Sequence, residues 1–183
     1  MKRTALLIID MINDYMKEGG LLYCKGCKEI IPSIKKAIEF TKKNDILVIY
    51  INTNLESGND ILAKKWGLHA VAGSYGAQII EELSPVESDL IIHKKGYNGF
   101  FNSTLDKELK LRGIKNIALS GIHTHVCVLL TAVGGFELGY NITTLEDCIT
   151  TDSESIRGSE LNFFNTHIGE LISLDDWMRG VLQ

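Results

Sequence analysis

The stretch Thr4-Ala5-Leu6-Leu7-Ile8-Ile9 carries no charged side chain and ends at Asp10. A short apolar run of this kind, without alternation of polar and apolar residues, is typical of a strand that is buried on both faces. Both faces of a strand are covered when helices pack on the two sides of a parallel sheet. Residues 4–9 therefore predict a central strand of an α/β fold.

Further apolar runs follow along the chain, and amphipathic helical patterns lie between them. The sequence also predicts a long loop over residues 52–76 and a helix over residues 153–166. The additional predicted strands cover residues 46–51, 90–92, 117–119, 142–145 and 168–172. Strands that alternate with helices form βαβ units and parallel sheets. We therefore expect a doubly wound, mostly parallel six-stranded sheet with helices on both faces, a Rossmann-like α/β fold in three layers.

Length and composition limit the classes of protein to consider. The 183 residues fit one domain over residues 1–183, and the formal net charge is −4. A nucleic-acid-binding surface needs a basic patch or stripe, which this balance argues against. Residues 116–136 contain no Asp, Glu, Lys or Arg, but Gly121 divides them, so a buried strand and helix fit better than a membrane span.

The four cysteines are Cys24, Cys27, Cys127 and Cys148. No signal-peptide pattern is found at the start of the chain, so we expect a cytoplasmic protein with reduced thiols. The Cys24-Lys25-Gly26-Cys27 motif has no second cysteine pair, which a zinc ribbon needs. A redox CxxC is expected to follow a strand and open a helix, whereas this motif follows Gly19-Gly20. We therefore interpret its spacing as coincidence.

Chemically useful side chains follow the predicted strands. Asp10 follows the first strand, Lys94 and Lys95 follow the third, and Cys127 comes soon after the fourth. Ligands and catalytic groups of open α/β sheets meet beyond the carboxyl ends of the strands. A helix N-terminus and a nearby ammonium both favour a thiolate, which predicts a reactive, partly accessible Cys127. Taken singly, these residues fit equally well a loop carboxylate, an exposed lysine and an inert core thiol.

Three sequence blocks together resemble the isochorismatase-like cysteine hydrolases, a superfamily that includes nicotinamidases and carbamoylsarcosine amidase. The blocks are DMINDY at residues 10–15, KKGYNGFF at 94–101 and GIHTHVCV at 121–128. The resemblance extends over most of the chain, and it implies a nucleophilic Cys127, with Asp10 as general base and then acid. Lys94 is implied as the electrostatic partner, and Lys95 competes for that role.

The resemblance also implies a cis peptide bond between Ile122 and His123. In this interpretation the backbone N–H groups of His123 and Cys127 form an oxyanion hole. The function implied is hydrolysis of a carbon–nitrogen bond in a small-molecule amide through a thioester. A nicotinamidase, a vinyl-ether hydrolase of the isochorismatase type and a non-catalytic binding relative are the alternatives. Members of this family commonly form dimers and tetramers, so the resemblance also implies a homo-oligomer. The expected partner is a small-molecule substrate.

Metal-dependent nicotinamidases of this family bind a divalent ion through an Asp and a His after the second strand, together with a later His. The matching positions here are Asn52, Asn54 and His69. Amides are poor zinc ligands beside imidazole and carboxylate, so we expect no catalytic metal and no cofactor. Tyr15, Asn52, Asn54, His69 and Phe100 are expected instead to contact the substrate.

Overall fold

The computed structural model describes residues 3–152 and 161–182 and contains a six-stranded sheet. The strands are β1 (Thr4–Ile9), β2 (Leu47–Thr53), β3 (Leu90–Lys94), β4 (Asn116–Gly121), β5 (Asn141–Ile149) and β6 (Glu170–Ile172). Their order is β3-β2-β1-β4-β5-β6, and every neighbouring pair is parallel. The predicted six-stranded α/β fold is thus confirmed.

Helices connect these strands. The α-helices are α1 (Asn13–Met16), α2 (Ile31–Lys43), α3 (Ile61–Trp66), α4 (Leu105–Leu111), α5 (Leu129–Glu137) and α6 (Leu174–Val181). Short 3₁₀ segments cover Cys27–Ile30 and Glu81–Leu83, and wider helical turns cover Thr124–Val128 and Phe164–Ile168. None of the helices in the described residues is long and apolar enough to cross a membrane.

The side chains of β1 divide the core into two layers. Leu6 and Ile8 pack in one hydrophobic cluster, whereas Leu7 and Ile9 pack in the other. Helices α2 and α6 cover the first face, and α4 and α5 cover the second. Because both faces are covered, residues 5–9 of β1 are all apolar and alternation is absent, as the sequence predicted.

The predicted elements match the observed ones more closely in their centres than at their ends. The loop expected over residues 52–76 contains α3, and β5 continues from residue 145 to Ile149. A helix was expected over residues 153–166; residues 153–160 lie outside the described residues, and the chain is helical from 161. The ends of strands carry polar residues, so the apolar pattern stops there although the backbone hydrogen bonds of the sheet continue. The predicted β2, β3, β4 and β5 are therefore shorter than the observed strands.

Candidate active site

Asp10 lies just beyond β1 and is 1% exposed. Its backbone φ is 55°, a left-handed conformation that Asp tolerates better than most residues. Asp10 Oδ1 accepts hydrogen bonds from the Thr53 backbone N–H (2.7 Å) and from the Thr53 hydroxyl (3.0 Å). The neighbouring strand β2 therefore fixes the orientation of the carboxylate.

Lys94 reaches this carboxylate from the end of β3. Its Nζ lies 2.7 Å from Asp10 Oδ2 and donates hydrogen bonds to Thr53 Oγ1 (2.9 Å) and the Gly96 carbonyl (3.0 Å). Burial lowers the pKa of Lys94, but the charges of Asp10 and Cys127 outweigh it, and the pKa is raised overall. The ammonium therefore stays charged.

Lys95 points away from this group. Its Nζ pairs with Glu56 at 2.7 Å, and its side chain is 49% exposed. Adjacent residues of a strand point to opposite faces, so only one of the two lysines reaches the carboxylate. The geometry thus assigns the buried position to Lys94.

Cys127 completes the group. Its Sγ lies 3.5 Å from Lys94 Nζ, and it is close enough to Asp10 for the carboxylate charge to raise the pKa of the thiol. The expected convergence of Asp10, Lys94 and Cys127 is therefore present in the structure, while their catalytic roles stay predictions.

The protonation of Cys127 differs from the expectation. Burial raises the pKa of the thiol above its ordinary range, the Asp10 charge raises it further, and Lys94 lowers it only in part. The residue is 7% exposed and lies in the fourth position of the helical turn Thr124–Val128, beyond its first residue. This direction favours a neutral thiol over the expected thiolate in the free protein, so a base must take the proton before attack.

Alkylation measures this protonation state. Iodoacetamide is expected to label Cys127 slowly at neutral pH and faster as the pH rises, because only the thiolate is nucleophilic. Peptide mass spectrometry separates this label from any at Cys148, a buried thiol whose pKa burial raises to about 12. A rate that levels off below about pH 8, under the ordinary thiol pKa of about 8.5, contradicts the prediction.

The loop after β4 brings His123 to the same place. The Ile122–His123 peptide bond is cis, as expected, and Gly121 has a φ of 108°. A Cβ at Gly121 would lie 2.1 Å from the Ile9 carbonyl oxygen, so only glycine allows β4 to end this close to β1. Burial lowers the pKa of His123, with Asp152 opposing, which favours a neutral imidazole.

A cavity of about 390 Å³ opens over these groups. Its lining is mostly aromatic, apolar and imidazole in character, and includes Asp10, Tyr15, Leu21, Leu22, Tyr23, Thr53, Leu62, Trp66, His69, Tyr97, His123, His125, Val126, Cys127 and Asp152. Within the described residues, the lining has two carboxylates and neither lysine nor arginine. The volume is at the small end of the range for ligand sites, about 300–1,000 Å³, and suits a small organic molecule.

Two of the expected substrate contacts line this cavity. Tyr15 and His69 face it with ring centroids 5.8 Å apart. Burial, and then the Asp10 charge, raise the pKa of Tyr15, so its phenol stays neutral. His69 Nδ1 donates to the Gly67 carbonyl at 2.7 Å, and its Nε2 is left as the acceptor nitrogen.

The structure places the other three expected contacts outside the cavity lining. Asn52 is 2% exposed and lies on the opposite face of β2 from Thr53, because successive residues alternate. Asn54 Nδ2 contacts His93 Nδ1 at 3.2 Å. Phe100 stacks on Tyr140 with centroids 5.6 Å apart. None of these three residues lines the cavity, so the structure does not support them as substrate contacts there.

Tyr97 and Trp66 line the cavity where Phe100 was expected. Trp66 Nε1 donates to the Tyr97 hydroxyl at 2.7 Å, and this pair forms part of the rim. The aromatic residue three positions after Lys94 was the available signal for Tyr97. Trp66 had no sequence signal, because its contact with Tyr97 depends on how residues 54–76 fold back.

The residues in the family's metal-ligand positions do not fit a catalytic ion. Asn52 lies outside the cavity, and the amide of Asn54 contacts His93. His69 is the only one of the three that faces the cavity. Neutral amides supply no charge to offset the loss of an ion's water shell, so no step of the chemistry is derived through a metal at these positions.

Comparison with known proteins places this site in a family context. The family model described as the isochorismatase domain matches residues 4–176. The ureidoacrylate amidohydrolase RutB of Caulobacter segnis is 33% identical, over 80% of this chain and 72% of that protein.

Two solved structures are similar along nearly their whole length. The isochorismatase-like hydrolase of Alkaliphilus metalliredigens is 32% identical with a TM-score of 0.93, covering 98% of this chain and 99% of that one. The N-carbamoylsarcosine amidase of Thermoplasma acidophilum is 26% identical with a TM-score of 0.86, covering 96% and 98%.

Proposed function

The chain belongs to the isochorismatase family, and we propose that it hydrolyses the carbon–nitrogen bond of a small, uncharged amide or ureide with Cys127 as nucleophile. The proposal depends above all on one observation: Lys94 contacts both Cys127 and Asp10, and these last two line the same cavity. The relatives named as amidohydrolase and amidase support the same reaction class. The enzyme is a hydrolase of carbon–nitrogen bonds other than peptide bonds.

Acylation begins with proton transfer. Asp10 takes the thiol proton of Cys127, and the thiolate sulfur forms a bond to the amide carbonyl carbon. The carbonyl oxygen gains the electron pair as an oxyanion, which we assign to the backbone N–H groups of His123 and Cys127. The carbon–nitrogen bond then breaks, Asp10 returns the proton to the leaving nitrogen, and a thioester remains.

Deacylation uses the same carboxylate. Asp10 takes a proton from water while the water oxygen attacks the thioester carbon. The carbon–sulfur bond breaks, the acid product leaves, and the proton returns to Cys127. Lys94 stays protonated throughout, where its charge stabilises both the Asp10 carboxylate and the transient thiolate.

The cavity lining indicates the substrate class. A substrate carboxylate would meet Asp10 and Asp152 without a lysine or arginine among the described lining residues. Uncompensated burial of a charge is costly. The aromatic side chains Tyr15, Trp66 and Tyr97 instead offer surfaces for a planar, uncharged substrate.

A panel of small amides tests this proposal. Ammonia release should be faster, in kcat/KM, from uncharged carboxamides such as nicotinamide, pyrazinamide and benzamide than from carboxylate-bearing ureido acids such as N-carbamoylsarcosine. Turnover should not require an added divalent ion in the assay, because no step of the proposed chemistry uses one. Preference for the ureido acids would overturn the substrate class alone, and binding of amides without release from any of them would overturn the reaction.

Cytoplasmic location and homo-oligomeric assembly stay predictions from the sequence.

A further inference from the structure

The Cys24-Lys25-Gly26-Cys27 segment has no part in the proposed chemistry. Its chain turns tightly, because the Cys27 N–H bonds to the Cys24 carbonyl and Gly26 has a φ of 88°. The two Cα atoms lie 5.5 Å apart, and the sulfur atoms are drawn into direct contact, as in a disulfide. The spacing that the sequence analysis interpreted as coincidence thus brings the two sulfurs together in space, and the redox state of this pair stays a prediction.

A third ligand-type atom lies beside the two sulfur atoms. His123 Nδ1 is 3.8 Å from Cys24 Sγ, although the residues are 99 positions apart in the sequence. Ligand atoms of Cys24, Cys27 and His123 all lie within 4.8 Å of one another. Among the residues that the structure describes, this is the one group of three His, Cys, Asp or Glu side chains that meets such a criterion.

The sulfur–nitrogen separation is close to that of a tetrahedral zinc centre, whereas the two sulfur atoms would have to move apart to bind one ion. Zinc binds sulfur at about 2.3 Å and imidazole nitrogen at about 2.0–2.1 Å, which places the nitrogen and sulfur ligands roughly 3.5 Å apart. Both cysteines are 1% exposed. The protein core therefore lies behind the two sulfurs, and little water competes for an ion bound there.

We propose that Cys24 and Cys27, in their dithiol state, form a Zn²⁺ site with His123. Each thiol loses its proton when its sulfur binds the ion, and thiolate with imidazole selects zinc over the hard cations Mg²⁺ and Ca²⁺. Asp152 Oδ1 lies 3.8 Å from the same His123 Nδ1, so this carboxylate is the candidate for the fourth position. The ion and the disulfide are alternative states of the same two sulfurs.

The site has no side chain in common with Asp10, Lys94 and Cys127, and it meets the catalytic machinery only at His123. It joins the segment that leads from α1 to α2 with the loop that follows β4, at His123 in the cavity wall. A bound ion therefore fixes the side chain whose backbone N–H is assigned to the oxyanion. The metal site itself does not rest on the proposed function, because its test measures binding.

Cobalt binding tests the proposal on the whole chain. The protein is reduced with a phosphine, stripped with a chelator, desalted without oxygen and titrated with Co²⁺. One equivalent should produce a thiolate-to-cobalt charge-transfer band and the intense visible bands of tetrahedral cobalt. Added Zn²⁺ should displace the Co²⁺ and abolish the charge-transfer band and the visible bands. The variants Cys24→Ser, Cys27→Ser and His123→Ala should each weaken Zn²⁺ binding by more than the roughly 10- to 100-fold cost of outer-shell changes.

Two variants serve as controls for the other thiols. Cys148→Ala and Cys127→Ala should keep the cobalt spectrum, because neither sulfur belongs to the group. Failure of the reduced wild-type chain to take up one equivalent overturns the proposal, whatever the variants do. An unchanged cobalt spectrum in folded Cys24→Ser or Cys27→Ser also overturns it. The proposal fails as well if alkylation shows that Cys24 and Cys27 resist reduction in the folded protein.

Discussion

Replacement of Cys127 by alanine is expected to lower kcat by on the order of 10⁶-fold, the scale seen when a catalytic nucleophile is removed. Within the described lining of the cavity, Cys127 supplies the one thiol. Asp10 is committed to proton transfer, and no thioester forms without sulfur. The measurement is ammonia release under saturating amide, with far-UV circular dichroism to show that the variant is folded.

The Cys127→Ser variant tests whether the thiol is needed for its reactivity or only for the space it fills. The hydroxyl fills nearly the same space beside Lys94, but it ionises far less readily than a thiol, so activity should remain severely impaired. Cys148→Ala is the matched control, because that buried thiol lies away from the cavity lining and should leave turnover largely intact. Intact-mass detection of an acyl adduct on wild-type protein, absent from both Cys127 variants, identifies the thioester. Substantial turnover by folded Cys127→Ala would contradict the nucleophile assignment.

The fold was predictable because its strands are buried on both faces. An apolar run such as residues 4–9 has only one stable environment in a chain of this composition, between two layers of helices. The ends of the strands were less predictable, since β2 was predicted to end at residue 51 but continues through Asn52 and Thr53. Their polar side chains resemble a loop in sequence, but β3 supplies their ladder partners His93 and Lys94.

The catalytic group was predictable for a topological reason. Asp10, Lys94 and Cys127 follow three strands whose carboxyl ends lie at one edge of the sheet, and the family motifs favoured the same positions. Thr53 was missed, although the register pairs it with Lys94 and its hydroxyl bridges Lys94 and Asp10. Register depends on long-range pairing, which the local pattern of β2 does not determine.

The sulfur pair was misinterpreted for a similar reason. Cys24 and Cys27 have no second cysteine pair in the sequence, so their spacing alone indicates no metal site. Their third neighbour is His123, which the turn after β4 carries to the pair across the fold. Ligand groups assembled from distant segments leave no fixed spacing, so geometry was needed to find this one.

The Lys94→Met variant is expected to lose both stability and activity. Lys94 and Asp10 form an ion pair with side chains 0% and 1% exposed. Removal of one partner leaves the other charge buried without compensation, which costs about 3–5 kcal/mol in the free energy of unfolding. For a chain of this size that is a fall in Tm of roughly 6–20 °C. Turnover should be lost because no cation stabilises the thiolate.

A double variant distinguishes the two effects. Asp10→Asn with Lys94→Met removes both charges, so it should recover much of the lost Tm, because a neutral amide is cheaper to bury than an unpaired carboxylate. It should still be inactive, because it has no general base. Lys95→Met is the control: its exposed pair with Glu56 should contribute no more than about 1 kcal/mol. A stable and active Lys94→Met would show that the buried pair serves neither the fold nor the chemistry. A double variant less stable than the single one would show that Lys94 stabilises the fold by packing, without balancing the charge of Asp10.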